Sequence, residues 1–427
     1  MVLMETIYVI SQVADMVWVG QLGPAAIAGV GIANIVLMVV LSMDMGMVVG
    51  VRAMVTRYVG AGDYQEANHV AGQGFILSII WGMLITVIGL LLTGPVINLF
   101  GIEAEVFIEG MAYLRVMFAG WVAMEILIMG LYVIQSSGDA RTPLLIETLI
   151  RTIHVALCPF LVLGLWVFPR LGVTGAALAN VISQCLGAGC IFWLIHSGNT
   201  RLHPTLRDFR ADINIIWRIL KVGIPALVMN LQRSLGNFML TWLIAPFGTL
   251  AIAAHSIAAR VELFLSLPGM GFGTGAGVLV GQNLGAGQPE RAEKNGWSAL
   301  GFLEGFMAVC SVAILFWAAN IMGIFTKDSE LVALGGDFLK IATASYLLIS
   351  FISVLQSCIA SAGDTVPTMV VSIVMIWVIQ LPLAYLLPEY TSLGVYGLRW
   401  AIVAGIFAGA IAYAIYFRIG RWKTKRI

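Results

Sequence analysis

Long apolar stretches recur from one end of this 427-residue chain to the other, and each is about as long as the roughly 20 residues a helix needs to cross a bilayer. Twelve can be read: 1–19, 24–50, 73–97, 108–134, 143–167, 173–196, 213–245, 250–280, 297–321, 332–358, 367–388 and 395–418. None alternates apolar and polar residues with a period of two, so the spanning elements are helices, not barrel strands. A chain that is 60% hydrophobic and 11% charged is not a soluble globular protein. The expected fold is therefore all-α and integral to a membrane.

Charge orients the chain. Arg52, Arg57, Arg141, Arg201, Arg207 and Arg210 fall on one side together with the basic tail "RIGRWKTKRI", while the other side carries Arg170 and Lys327. The positive-inside rule then places both termini in the cytoplasm of a cell membrane, inner or plasma. The tail reads as a stop and lipid-headgroup anchor, not a nucleic-acid site. The five cysteines sit in or beside apolar segments without paired spacing, which points to packing and not to a metal or disulfide framework.

The chain also repeats itself. "LGPAAIAGVGIA" at 22–33 matches "FGTLAIAAHSIA" at 247–258, and "VGAGDYQEA" at 59–67 matches "LGAGQPERA" at 284–292, both at an offset of 225 residues. "SSGD" at 136–139 and "SAGD" at 361–364 keep that offset, and "LGVTG" at 171–175 meets "LGVYG" at 393–397 at 222. Two homologous six-helix lobes are expected, 1–196 and 223–427, joined over 197–222 by a cytoplasmic linker and the start of an interfacial helix. Six is even, so the repeats are parallel, an arrangement that places a transport site between lobes. The same offset carries Ile213 to about twelve residues before Met1, so the first helix is expected to be short or to begin upstream.

"ADMVWVGQLG", "VGAGD", "SSGDARTPL", "LGVTGAALANVISQ", "RVELFLSLPGMGFGTGAGVLVGQNLGAG" and "SAGDTVPT" resemble the multidrug and toxic compound extrusion (MATE) transporters, in particular their prokaryotic DinF-like branch. The resemblance runs from Met1 to the last helix. It implies a twelve-helix, two-lobe antiporter that exports organic cations and other amphipathic compounds in exchange for protons or sodium ions. Twenty methionines, several in "MDMGMVV" at 43–49, would suit a pliable ligand surface, or simply fill packing positions.

Ionisable residues inside the spans are the site candidates, because each costs on the order of 2.5–3.5 kcal/mol on insertion scales. Asp15 lies about 10 Å inside the turn that follows Leu22, at 1.5 Å per residue. In the resemblance it matches the cation-coupling carboxylate of the first helix; otherwise it is a structural Asp satisfied by Ser11. Many family members carry an Asn and an Asp four residues apart before a proline. Here "HVALCP" puts His154 and Cys158 in those places, on one helix face. Asn180 stands where a hydroxyl residue is frequent and could supply an amide oxygen. Arg233 and Glu262 lie fourteen residues on either side of the turn at 247–248 and are expected to pair, either structurally or in substrate and proton handling. Glu147 and Arg151 read as a local i,i+4 pair. Glu125 has no obvious partner and stays open.

These residues imply no enzyme. A membrane prenyltransferase would need paired carboxylates on one helix face to hold Mg²⁺, and no span offers a DxxxD pair. A lipid or lipid-linked oligosaccharide flippase of the same superfamily is the alternative, but it would show more cationic residues facing its cavity. The expected partners are small amphipathic or cationic substrates and membrane lipid, with no nucleic acid, for a monomer. No cofactor is expected beyond the coupling ion, H⁺ in preference to Na⁺, since His154 and Cys158 replace two oxygen donors that a hard cation would use.

Overall fold

The computed structural model describes residues 7, 11, 14–198, 200–425 and 427, and these are helical almost throughout. Residues 7, 11 and 14–20 are the described, helical part of α1. There follow α2 (Pro24–Ala61), α3 (Tyr64–Asn98), α4 (Ala104–Ala119), α5 (Trp121–Ser136), α6 (Arg141–Leu163) and α7 (Val173–Ser197). The second run is α8 (Ile213–Ile244), α9 (Thr249–Gly285), α10 (Pro289–Phe325), α11 (Ser329–Ser361), α12 (Thr365–Ile373), α13 (Leu381–Tyr390) and α14 (Val395–Ile419). A π-helical segment, Val374–Gln380, joins α12 to α13, and α4 meets α5 at a 54° bend, so each of these pairs serves as one broken span. Counted so, the described residues hold eleven spans besides the partly described α1, which fits the twelve-helix architecture read from the hydropathy. The expectation about the start of the first helix falls on residues outside those described.

Several helices outrun the apolar segments that announced them. α2 continues to Ala61, where the hydropathy signal ends near Gly50. The overrun "VRAMVTRYVGA" is held by packing: Arg52 and Thr56 are buried, and Gly50 lets the backbone of Ile219 come so close that a Cβ there would lie 2.4 Å from its carbonyl oxygen. Hydropathy marks what sits in hydrocarbon, whereas the helix ends only where its caps allow. Gly62 caps α2 with φ 77°, and the Asp63 carboxylate then accepts the Glu66 amide at 3.1 Å to start α3.

The repeat is visible in the backbone. Gly23 and Gly248, 225 residues apart, cap α2 and α9 with φ/ψ of 115°/175° and 89°/173°. Gly172 and Gly394, 222 apart, cap α7 and α14 with 58°/−134° and 53°/−133°. Side chains rarely adopt these conformations, so glycine recurs where the same turn recurs.

The chain divides into two compact units, Leu3–Gly223 and Ile224–Ile427, the division falling inside α8. Within the first, part of the polar stretch expected as the linker is bound down onto α3. Gln73 on α3 donates to the carbonyls of Asp208 and Arg210, both at 2.8 Å, and accepts the Asp212 amide at 2.9 Å. Asn68 accepts the amide of His203 at 2.8 Å. The core of this unit packs Val19, Tyr113, Leu114, Trp121, Cys158 and Ala177. Helices approach closely at glycines: at Gly175 a Cβ would lie 2.4 Å from the carbonyl oxygen of Leu161. Gly175→Ala should therefore push α7 from α6 and cost about 1–3 kcal/mol, read as a lower midpoint on denaturant unfolding. An unchanged midpoint would mean that the two helices separate freely.

In the second unit α9, α10 and α11 pack on one another, and α14 lies against α11 and α13. Gln232 donates to Ser372 Oγ at 2.7 Å and accepts from Trp377 in the π segment at 3.0 Å. Part of the basic tail is also engaged by protein: Lys423 pairs with Glu293 at 2.5 Å and Lys425 with Asp364 at 3.0 Å, while buried Trp422 stacks on Phe417.

Candidate functional site

The first unit brings Asp15 and His154 together. Nε2 of His154 lies 3.1 Å from Oδ1 of Asp15, with the imidazole 1% and the carboxylate 16% exposed. The distance is that of an ion pair, but the alignment is not that of a hydrogen bond. Oδ1 of Asp15 and both ring nitrogens of His154 are buried without a hydrogen-bond partner. The Cys158 thiol, one turn along α6, also faces the Asp15 carboxyl. Both reach α1 because i and i+4 share a helix face. Three hydrogen-bonding groups thus meet in an apolar setting with unused bonding capacity, a suitable place to load and release a small cation. Asn180 is not part of the trio's contacts: its Oδ1 accepts from Gln184 Nε2 at 2.7 Å, one turn along α7.

In the second unit the expected Arg233–Glu262 pair does not form. Glu262 is bound by Arg399 of α14, whose other arm reaches His255 Nδ1 at 3.2 Å and whose guanidinium lies over the Phe338 ring, 5.2 Å from its centroid. Arg233 instead donates to Gln356 Oε1 at 3.2 Å. Equal depth below a turn fixes height in the bundle but not the direction in which a side chain leaves its helix. A signal for the true partner existed: His255 and Glu262 are seven residues apart, on one face of α9, and Arg399 is an arginine in an apolar span. The Glu147–Arg151 pair forms as its spacing suggested, at 2.7 Å.

Glu125, the candidate left without a partner, has one. It is 1% exposed on α5, accepts from Trp121 Nε1 at 3.2 Å, and faces the carboxyl of Asp44 on α2. Asp44 is fully buried, and its Oδ1 accepts from Trp81 Nε1 at 2.6 Å. Nothing in the local sequence "MDMGMVV" marks Asp44 as Glu125's neighbour, because that contact depends on which faces α2 and α5 turn toward each other.

Comparison with known proteins agrees with this architecture. The MatE family profile matches residues 1–160 and 225–386, one segment in each half of the repeat. A probable multidrug resistance protein NorM of Thermotoga maritima is 26% identical over 425 residues, 97% of this chain and 89% of that protein. A protein of Shewanella oneidensis named as an FAD transporter is 25% identical over 410 residues, 95% of this chain and 90% of its own. Among solved structures, an outward-facing conformation of a multidrug resistance MATE family transporter of the MOP superfamily superposes with a TM-score of 0.91 and 26% identity, covering 100% of this chain and 95% of the other. A MOP superfamily transporter from Pyrococcus furiosus, described as having a binding pocket of reverse polarity, gives the same TM-score and identity with 94% of its chain covered. The family segments take up most of the chain and fall on both repeats, so the chain belongs to the MATE family of membrane transporters.

Proposed function

We propose that the protein exports small amphipathic or cationic compounds in antiport against protons, by alternating access carried by its two repeated units, with both termini cytoplasmic. The observation that carries this reading is Asp15 in the membrane, facing His154 at 3.1 Å. A carboxylate placed there at a cost of a few kcal/mol has a reason to exist if it takes up and releases charge. Its partners favour a proton over sodium. Hard alkali ions are held by oxygen ligands, and here a thiol and an imidazole stand beside the carboxylate. Histidine is also the side chain suited to passing a proton near neutral pH.

The relatives support export of small molecules: several are named as multidrug resistance proteins, and one as an FAD transporter. With few polar anchors, a tolerant apolar site gives a class of ligands, not one compound. Reconstituted vesicles loaded with a fluorescent cationic dye test the reading. Efflux should follow an imposed pH gradient, and His154→Asn should displace the pH profile without abolishing transport. Efflux that followed a sodium gradient at constant pH and ignored a pH gradient would refute it.

A further inference from the structure

The first unit also buries an acidic pair away from Asp15. Asp44 and Glu125 are 0% and 1% exposed, and their carboxyls face each other across α2 and α5. Gly82 of α3 makes room for the approach, since a Cβ there would lie 3.3 Å from Glu125 Cγ and 3.0 Å from Val122 Cα. Each carboxyl receives one indole N–H, from Trp81 and Trp121 respectively. The remaining Asp44 oxygen, Oδ2, is fully buried with no donor. The neighbouring Glu125 carboxyl, when ionised, is itself only an acceptor.

Two ionised carboxylates in contact, out of water and with no cation between them, repel strongly, and each also bears the full cost of burial. Neighbouring charges offer no relief. Asp44 is met by Trp81 and Glu125, and Glu125 by Asp44 and Trp121. On α4, Glu109 packs at Gly29, fifteen residues back along α2 from Asp44, and Arg115 is exposed. On α3, His69 sits twelve residues before Trp81, beside Asp208 and Asp212. From the start of α8, Arg218 reaches Tyr58 and Lys221 is exposed. Arg52 is eight residues further along α2 itself, roughly 12 Å at 1.5 Å per residue. One proton placed between the carboxyls supplies the donor that Oδ2 lacks and removes the repulsion.

We propose that Asp44 and Glu125 form a second proton-binding site, holding one proton shared between the two carboxyls and released as a unit. The site does not depend on Asp15 being the coupling carboxylate. It stands five residues beyond the α4–α5 bend at Gly120, so losing its proton would set two like charges against each other where α5 leaves that bend. The geometry thus ties protonation to the seating of α5 on α2.

Infrared difference spectra of the full chain in liposomes, recorded between acid and alkaline pH, read protonated carboxyls directly through their C=O stretch. The wild type should show a carboxyl band that titrates away. Asp44→Asn and Glu125→Gln, both isosteric, should each replace that band by one at a different position, since the remaining carboxyl no longer shares its proton, and Asp15→Asn should keep it. Trp81→Phe, which spares both acids, should move the band's position, because it removes the indole bond to Asp44. Retention of the band at its wild-type position in either acid variant would overturn the shared proton, as would its loss in Asp15→Asn alone. Failure of dye efflux to follow a pH gradient would count against the Asp15 reading and leave these spectra as they are.

Discussion

Asp15→Asn should reduce gradient-driven efflux to the level of empty vesicles while the protein still folds. The substitution keeps the shape and removes the only group on α1, among the described residues, that faces both His154 and Cys158. If the carboxylate carries the proton, its amide replacement cannot, and the transport step loses its carrier. Stability should hardly fall. An intramembrane carboxylate is costly, and an amide in its place removes that cost while still offering hydrogen bonds to the same neighbours. The decisive pair of measurements is efflux under an imposed pH gradient and thermal unfolding on the same preparation. Full efflux from a folded Asp15→Asn variant would sink the assignment. Loss of both efflux and folding would show that Asp15 holds the helix in place.

The architecture was largely legible because its signals are local. Apolar length announces each span, and glycine-containing turns announce the ends, so the repeat could be found from "VGAGD" and "LGAG" and is seen again in the positive φ of Gly62 and Gly287. The Asp15, His154 and Cys158 grouping was legible through the resemblance to the MATE family, which matches all three to its coupling site; spacing alone put only His154 and Cys158 on one helix face. What could not be read depends on helix rotation. Glu262 was matched to Arg233 on depth alone, whereas Arg399 reaches it from α14, more than 130 residues away in sequence. Asp44 and Glu125 likewise meet only once α2 and α5 have turned their faces toward each other. The binding of residues 203–212 onto Gln73 and Asn68 was equally hidden, because a polar stretch has the same composition whether it is solvated or docked.

The Arg399–Glu262 pair carries the other large effect, on stability, and relative burial decides which substitution hurts more. Arg399 is 2% exposed and Glu262 26%. Removing the carboxylate therefore strands the more deeply buried charge, and water can compensate less than it could for a stranded Glu262. His255 offers Arg399 a lone nitrogen contact and Phe338 a ring face, neither of which neutralises it. Glu262→Gln is accordingly expected to cost about 3–5 kcal/mol, the usual range when one partner of a buried pair is lost. Arg399→Met should cost less than that. Its flexible apolar chain can fill the space over Phe338, and the carboxylate left behind is partly exposed. The double variant Glu262→Gln with Arg399→Met should then recover most of the loss, because it leaves no buried charge unpaired. Denaturant unfolding of the four proteins gives the cycle. A double variant no more stable than Glu262→Gln alone would show that the pair is not what holds α9 to α14, and that Arg399 is tolerated in the bundle through His255 and Phe338.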